Sequence, residues 1–170
     1  GKVLLYQDKF AEAASALDNV IGVYSLVSDY GSQFLRFGEN GPESVFEIQY
    51  SNQSNWYDWG CAHCSEGNYA IIMNGPRGWS GPEYAQGWSF NVPTAEFYNS
   101  FEEGDTRRDA TVLDIEAFAA ATGANYTEGY DHTGYFNNKY IPRAGESGGQ
   151  TELNYLTNFR IIRYSDVLLM

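Results

Sequence analysis

Gly1-Lys-Val-Leu-Leu-Tyr-Gln-Asp-Lys-Phe-Ala-Glu-Ala-Ala-Ser-Ala-Leu-Asp-Asn-Val-Ile-Gly22 is the stretch that decides the fold class. Val3, Leu4 and Tyr6 begin an apolar face that breaks at Asp8-Lys9. Phe10, Ala13, Ala14, Leu17, Val20 and Ile21 then recur at three- and four-residue steps. The spacing predicts two helices joined by a tight turn, the second closed by Gly22 as C-cap. Ala11, Ala13, Ala14 and Ala16 leave room for a neighbouring helix to approach closely, which is how an antiparallel hairpin of an α-solenoid repeat is built. Any other helical hairpin shares the same periodicity.

Beyond this hairpin the helical pattern stops. After Tyr24-Ser-Leu-Val a polar, glycine-bearing stretch runs to Gly41-Pro42, and Phe46, Ile48 and Tyr50 then alternate with Glu47 and Gln49, predicting a short half-buried strand. From Ser51 to Asn91 neither period persists. The segment instead gathers Trp56, Tyr57, Trp59, Tyr69, Trp79, Tyr84 and Trp88 among Gly, Asn, Ser and Pro, a loop composition. Between Arg36 and Arg77 there is no Lys or Arg, while Glu39, Glu43, Glu47, Asp58 and Glu66 are all acidic, so an anionic ligand is disfavoured.

Pro93-Thr94 predicts a helix start with Thr94 as N-cap, Glu96 at the positive end of the dipole, Phe97 and Phe101 on one face, and Gly104 as the stop. The mixed charges of Asp105-Thr-Arg-Arg-Asp109 read as a local salt-bridged turn. Residues 114–157 are again polar and predict a second irregular layer. The chain closes with Tyr164, Val167 and Leu168 on one face of a helix that stops at Met170 without a cap. The expectation is a truncated helix in a fragment of a longer protein.

Composition bounds the rest. A chain of 170 residues with 43% hydrophobic and 16% aromatic residues can bury a core as one domain. Ten Lys+Arg against 22 Asp+Glu, a net charge of -12, repel phosphate backbones and anionic lipid, which excludes nucleic acid as a partner. The longest apolar runs are a few residues, far below the ~20 needed to span a bilayer. The chain opens without a basic n-region, an apolar h-region or an acylation signal, and any targeting segment is expected to have been removed. Two cysteines are too few for a disulfide framework and leave the compartment open.

Taken in order, these landmarks carry a resemblance. They are Asp8-Lys-Phe-Ala-Glu-Ala-Ala14, Tyr24-Ser-Leu-Val27, Asn40-Gly-Pro-Glu-Ser-Val-Phe-Glu-Ile-Gln-Tyr50, Asn91-Val-Pro-Thr94, Phe101-Glu-Glu-Gly-Asp-Thr-Arg-Arg-Asp-Ala110 and Arg160-Ile-Ile-Arg-Tyr-Ser-Asp-Val-Leu-Leu-Met170. The chain resembles the SusD/RagB family of nutrient-binding lipoproteins, most of its length included. Residues 51–87 and 114–156 follow no family pattern. The resemblance implies a mainly α fold of TPR-like helical hairpins (an α/α superhelix) with a large irregular loop-rich portion and short β-strands. The chain would be a fragment from the C-terminal half, including part of the TPR-like helices. Residues 1–22 would form one such hairpin, and residues 23–170 the loop-rich ligand-binding region ending in a truncated helix.

The resemblance further implies a binding protein, not an enzyme. It would sit on the outer face of the outer membrane, held only by a lipid anchor outside this sequence, and capture oligosaccharides, or in some cases peptides, for a SusC-type TonB-dependent transporter. No cofactor, metal or catalytic residue is expected.

Sugar rings offer apolar C–H faces and a rim of hydroxyls, so a sugar site needs exposed aromatic platforms beside amides and carboxylates. Trp56, Tyr57 and Trp59 stand next to Asn55 and Asp58, and Trp79 and Tyr84 lie near Asn74 and Arg77; these are the candidate ligand contacts. Each aromatic has a competing role, pinning a long loop to the scaffold. Trp88, followed by Phe90 and Val92-Pro93, reads as core. The acidity of the segment favours a neutral glycan.

Cys61-Ala-His-Cys64 admits several readings: a thioredoxin-type motif, which lacks a following helix; a zinc site, which lacks a fourth ligand close by; free thiols; or, on an oxidising cell surface, a local disulfide bracing the aromatic loop. The alternatives from other classes are a glycoside hydrolase, for which no pair of carboxylates stands out, and a helical-repeat scaffold that binds protein.

Overall fold

The computed structural model describes residues 1–53, 59–147 and 154–170. Helices α1 (Lys2–Leu5) and α2 (Phe10–Asp18) form the opening pair and pack on each other. Only Ala13 of α2 is buried, consistent with the small-residue face. The helix ends at Asp18, capped by Asn19, earlier than Gly22. The turn that follows carries Gly22 at φ 80°, so glycine serves the turn and not the cap.

Strand β1 (Ser44–Ile48) pairs antiparallel with β6 (Phe159–Arg163), more than a hundred residues away, and α7 (Tyr164–Leu169) follows directly. The expected alternation of β1 is inverted. Phe46 and Ile48 are exposed and Glu47 is buried, because Glu47 faces Arg160 across the ladder with Nε to Oε1 at 3.6 Å. Asn158 Nδ2 donates to Glu47 Oε2 at 3.1 Å, and Arg160 Nη1 and Nη2 donate to the carbonyls of Asn158 and Leu35. A buried carboxylate so fully partnered outweighs two half-exposed apolar side chains in choosing which face turns inward. Burial raises the pKa of nearby Glu39 against the opposing backbone N–H of Asn158 and the Arg160 charge.

Helix α3 (Ala70–Met73) leads into β2 (Arg77–Ser80), which pairs with β4 (Asn125–Thr127). Helix α4 (Ala95–Asn99) starts as read: Thr94 Oγ1 accepts from the Phe97 N–H, and Phe97 meets Phe101 edge-on at 5.3 Å. It ends at Ser100, and Gly104, at φ 82°, sits in the next turn. Arg107 and Asp105, then Arg108 and Asp109, make the local ion pairs read from the sequence before and within α5 (Arg107–Thr111). Strand β3 (Val112–Asp114) pairs with β5 (Tyr135–Asn137) and runs into α6 (Ile115–Thr122). That helix lies in the segment read as irregular, although Asp114 caps its N-terminus and Gly123, at φ 73°, closes it.

Among the described residues two clusters hold these short elements together. Tyr84, Leu113, Ile115, Phe136 and Ile141 form one, with Trp79, Val92, Phe118 and Tyr126 packed against it. Ile71, Ile72 and Tyr155 form the other, with Met73, Trp88 and Tyr140 around them. The closing helix follows β6 directly, and in α7 Tyr164 and Val167 are buried whereas Leu168, read on the same face, is exposed. Among the described residues no helix is long and apolar enough to cross a membrane.

Candidate functional site

A close backbone crossing builds the site. A Cβ on Gly87 would lie 2.3 Å from Gly75 Cα, so only glycine lets these two strands of chain touch. Around that contact the N–H groups of Gly87, Trp88, Ser89 and Phe90 donate to the carbonyls of Pro76, Ile72, Gly75 and Met73, at 2.7 to 2.9 Å. Arg77 Nε donates to the Trp88 carbonyl at 2.8 Å, and its guanidinium lies over the Phe90 ring. The segment 87–90 is thereby fixed along 72–76.

Trp59, 41% exposed, stacks on Trp88 with ring centroids 5.0 Å apart and an interplanar angle of 26°. Tyr69 meets Trp59 edge-on at 6.5 Å, and Phe90 meets Trp88 edge-on at 6.4 Å. Trp88 and Phe90 line a cleft of about 570 Å³ together with Arg77, Glu128, Tyr130 and Asp131. Tyr130 is 94% exposed. Two carboxylates and one guanidinium at the rim, with rings at the wall, suit a neutral ligand that has both apolar faces and hydroxyls.

The candidate residues divide three ways. Asn55, Trp56, Tyr57 and Asp58 lie outside the described residues. Trp59 stands on the aromatic row. Trp79 and Tyr84 pack edge-on at 5.9 Å: Tyr84 is corrected, since it lies in the first core cluster and is 5% exposed, whereas Trp79 is half-buried against that cluster. Burial pushes the Tyr84 phenol up to about 12, Glu83 adding to the shift and Arg143 opposing it. A ring so enclosed offers no face to a sugar. Conversely Trp88, read as core, is only half-buried and forms the wall of the cleft together with Phe90. Trp88 and Phe90 come to one cleft through a turn of the backbone at Ser89, φ 57°, a conformation that no strand alternation in the sequence signals. Tyr130 carried no local signal.

Cys61 and Cys64 are joined by a disulfide two residues beyond Trp59, in the turn Trp59–Cys64. Cys61, His63 and Cys64 place their ligand atoms within 4.8 Å of one another, but sulfurs bonded to each other are not thiolate ligands.

The sequence pattern of the SusD family matches residues 42–170. The chain belongs to the SusD family. This SusD-family chain superposes on a laminarin-binding SusD-like protein with a TM-score of 0.88 and 37% identity, covering 99% of its own length and 40% of the other's. Surface glycan-binding protein A from Bacteroides thetaiotaomicron, solved in complex with laminarihexaose, gives 0.86 and 32%, covering 98% and 39%. SusD-like protein P2 of Formosa agariphila is 28% identical over 137 residues, 75% of this chain and 25% of that one. The SusD-family chain thus spans about two fifths of the length of the solved relatives.

Proposed function

We propose that this chain is the ligand-contacting part of a cell-surface glycan-binding protein that captures a neutral glucan of the laminarin type. The observation that carries the reading is Trp88, which stacks on Trp59 and lines a cleft whose charged lining is net acidic. An indole face covers the C–H face of a pyranose, and no surplus of cations awaits an anionic sugar. Support comes from two relatives above 30% identity, one described as laminarin-binding and one solved with laminarihexaose. The same reading makes the protein a binder that does not cleave its ligand, and a SusC-type transporter its partner. The α1–α2 pair is one unit of a TPR-like array, and a lipid anchor elsewhere in the whole protein holds it at the outer membrane.

Isothermal titration with neutral laminarin oligosaccharides and with uronic-acid oligosaccharides of equal length tests this. Heat of binding is expected only with the neutral series, and chromatography of the mixture is expected to return the oligosaccharide uncut. Preference for the uronate, or shortened products, overturns the reading.

A further inference from the structure

The cleft beside Trp88 does not end there. Asn91 and Val92 line it and also line a second hollow of about 360 Å³, which runs past Pro93 to Phe97 and Lys139. Phe97, Thr111 and Lys139 in turn line a third, of about 390 Å³, which reaches Tyr30 and Phe101. The three hollows adjoin at these shared residues and lie in a row, a segmented trough. Each lies within the ~300–1,000 Å³ of a pocket that takes one small ligand, so the trough exceeds what a short sugar needs.

Its far end repeats the chemistry of the near end. Phe97 is 46% exposed and is held at a fixed angle by Phe101, edge-on at 67°. Asn137, Thr111 and Ser100 supply amide and hydroxyl groups along the way. The cations there are already engaged. Lys139 Nζ lies 4.7 Å from the Phe34 ring centroid and 5.2 Å from that of Tyr30, and Arg107 is bound through Nε and Nη2 to Asp105. Nothing in the trough calls for an anionic ligand.

We propose that a linear neutral oligosaccharide seated on Trp59 and Trp88 continues through this trough, and that Phe97 is the platform of a distal subsite. This rests on the neutral-glucan reading above. A subsite joined to the first through the ligand itself acts at high effective concentration, so it raises the affinity of long chains and leaves short ones untouched.

The test is titration of the full chain with a laminarin trisaccharide and a heptasaccharide, using wild type, Phe97→Ala, Phe97→Leu and Trp59→Ala. Circular dichroism checks that each variant is folded. Wild type is expected to hold the heptasaccharide at least tenfold tighter. Phe97→Ala is expected to remove most of that gain without changing trisaccharide affinity; Phe97→Leu, which keeps apolar bulk but no ring, should do the same. Trp59→Ala is expected to weaken both. If the Phe97 variants bind the heptasaccharide like wild type while Trp59→Ala weakens it, the distal subsite is wrong and the glucan reading stands. Absence of binding by wild type overturns both.

Discussion

Trp59 and Trp88 stack at 5.0 Å although 29 positions separate them, and the two rings have different anchors. Trp88 is set by four backbone hydrogen bonds of the segment 87–90 and packs on Ile71, Ile72 and Tyr155, whereas Trp59 stands on an exposed turn braced by a disulfide. Loss of the two rings should therefore be felt differently.

Trp59→Ala is expected to weaken neutral glucan binding at least tenfold, about 1.4 kcal/mol, with little change in Tm. Trp88→Ala is expected to lose affinity and also about 3 kcal/mol of stability, because its ring covers a core cluster. Titration calorimetry and thermal unfolding separate the two effects. Unchanged affinity in Trp59→Ala would show that the row is structural.

Glu47 and Arg160 have side chains 1% and 2% exposed. Among the described residues Arg160 Nε has no hydrogen-bond partner, so Glu47 is its nearest compensation. Glu47→Gln is expected to cost about 3 kcal/mol, because it removes the nearer of two carboxylates beside a buried guanidinium and leaves Glu39, 3.9 Å from Arg160 Nη1, as the other. The Glu47→Leu, Arg160→Met double variant is expected to recover much of that loss. Denaturant unfolding of the three proteins gives the comparison; a single variant as stable as wild type would sink the account.

What the sequence disclosed follows the range of the forces. Thr94 capping α4, the Phe97–Phe101 pair and the Asp105–Arg107 bridge depend on neighbours within four residues, and all were legible. The facing of β1 was not, because the partner that draws Glu47 inward lies on β6, beyond a hundred intervening residues. The loop-rich, aromatic character of residues 51–91 was likewise legible. Which of the segment's rings stay open depends on long-range packing. Tyr84 is closed off by Leu113, Ile115, Phe136 and Ile141, and Trp88 is left open by the Gly75–Gly87 crossing. Helix α6 was missed although its caps are local, since its polar surroundings masked them.

The Tyr84 phenol gives a pH test. Its folded pKa, about 12, lies above the ordinary value of 10.0, so the folded state holds this proton more tightly than the unfolded chain does. The stability tied to that proton is fully present below pH 10 and is lost as pH rises toward about 12. Unfolding midpoints measured across this range are expected to fall less steeply in Tyr84→Phe than in wild type, and glucan affinity at neutral pH should be the same in both. An identical slope would mean that the phenol is not held in the core.

The Cys61–Cys64 disulfide closes so small a loop that its effect on the unfolded chain is worth only about 2 kcal/mol. Its functional effect should be larger than that suggests, because the bridged turn begins at Trp59 and includes Cys61 in a non-helical conformation, φ -143°, ψ 66°. Reduction, or the Cys61→Ser, Cys64→Ser double variant, frees the turn, so a platform previously held against Trp88 must be ordered by the ligand at a cost in affinity. Mass spectrometry of the unreduced protein is expected to show the loss of two protons, and titration in the presence of a phosphine reductant to show severalfold weaker glucan binding with a Tm lower by about 4–8 °C. Equal affinity for the oxidised and reduced protein would show that the stack with Trp88 holds Trp59 in place without the bridge.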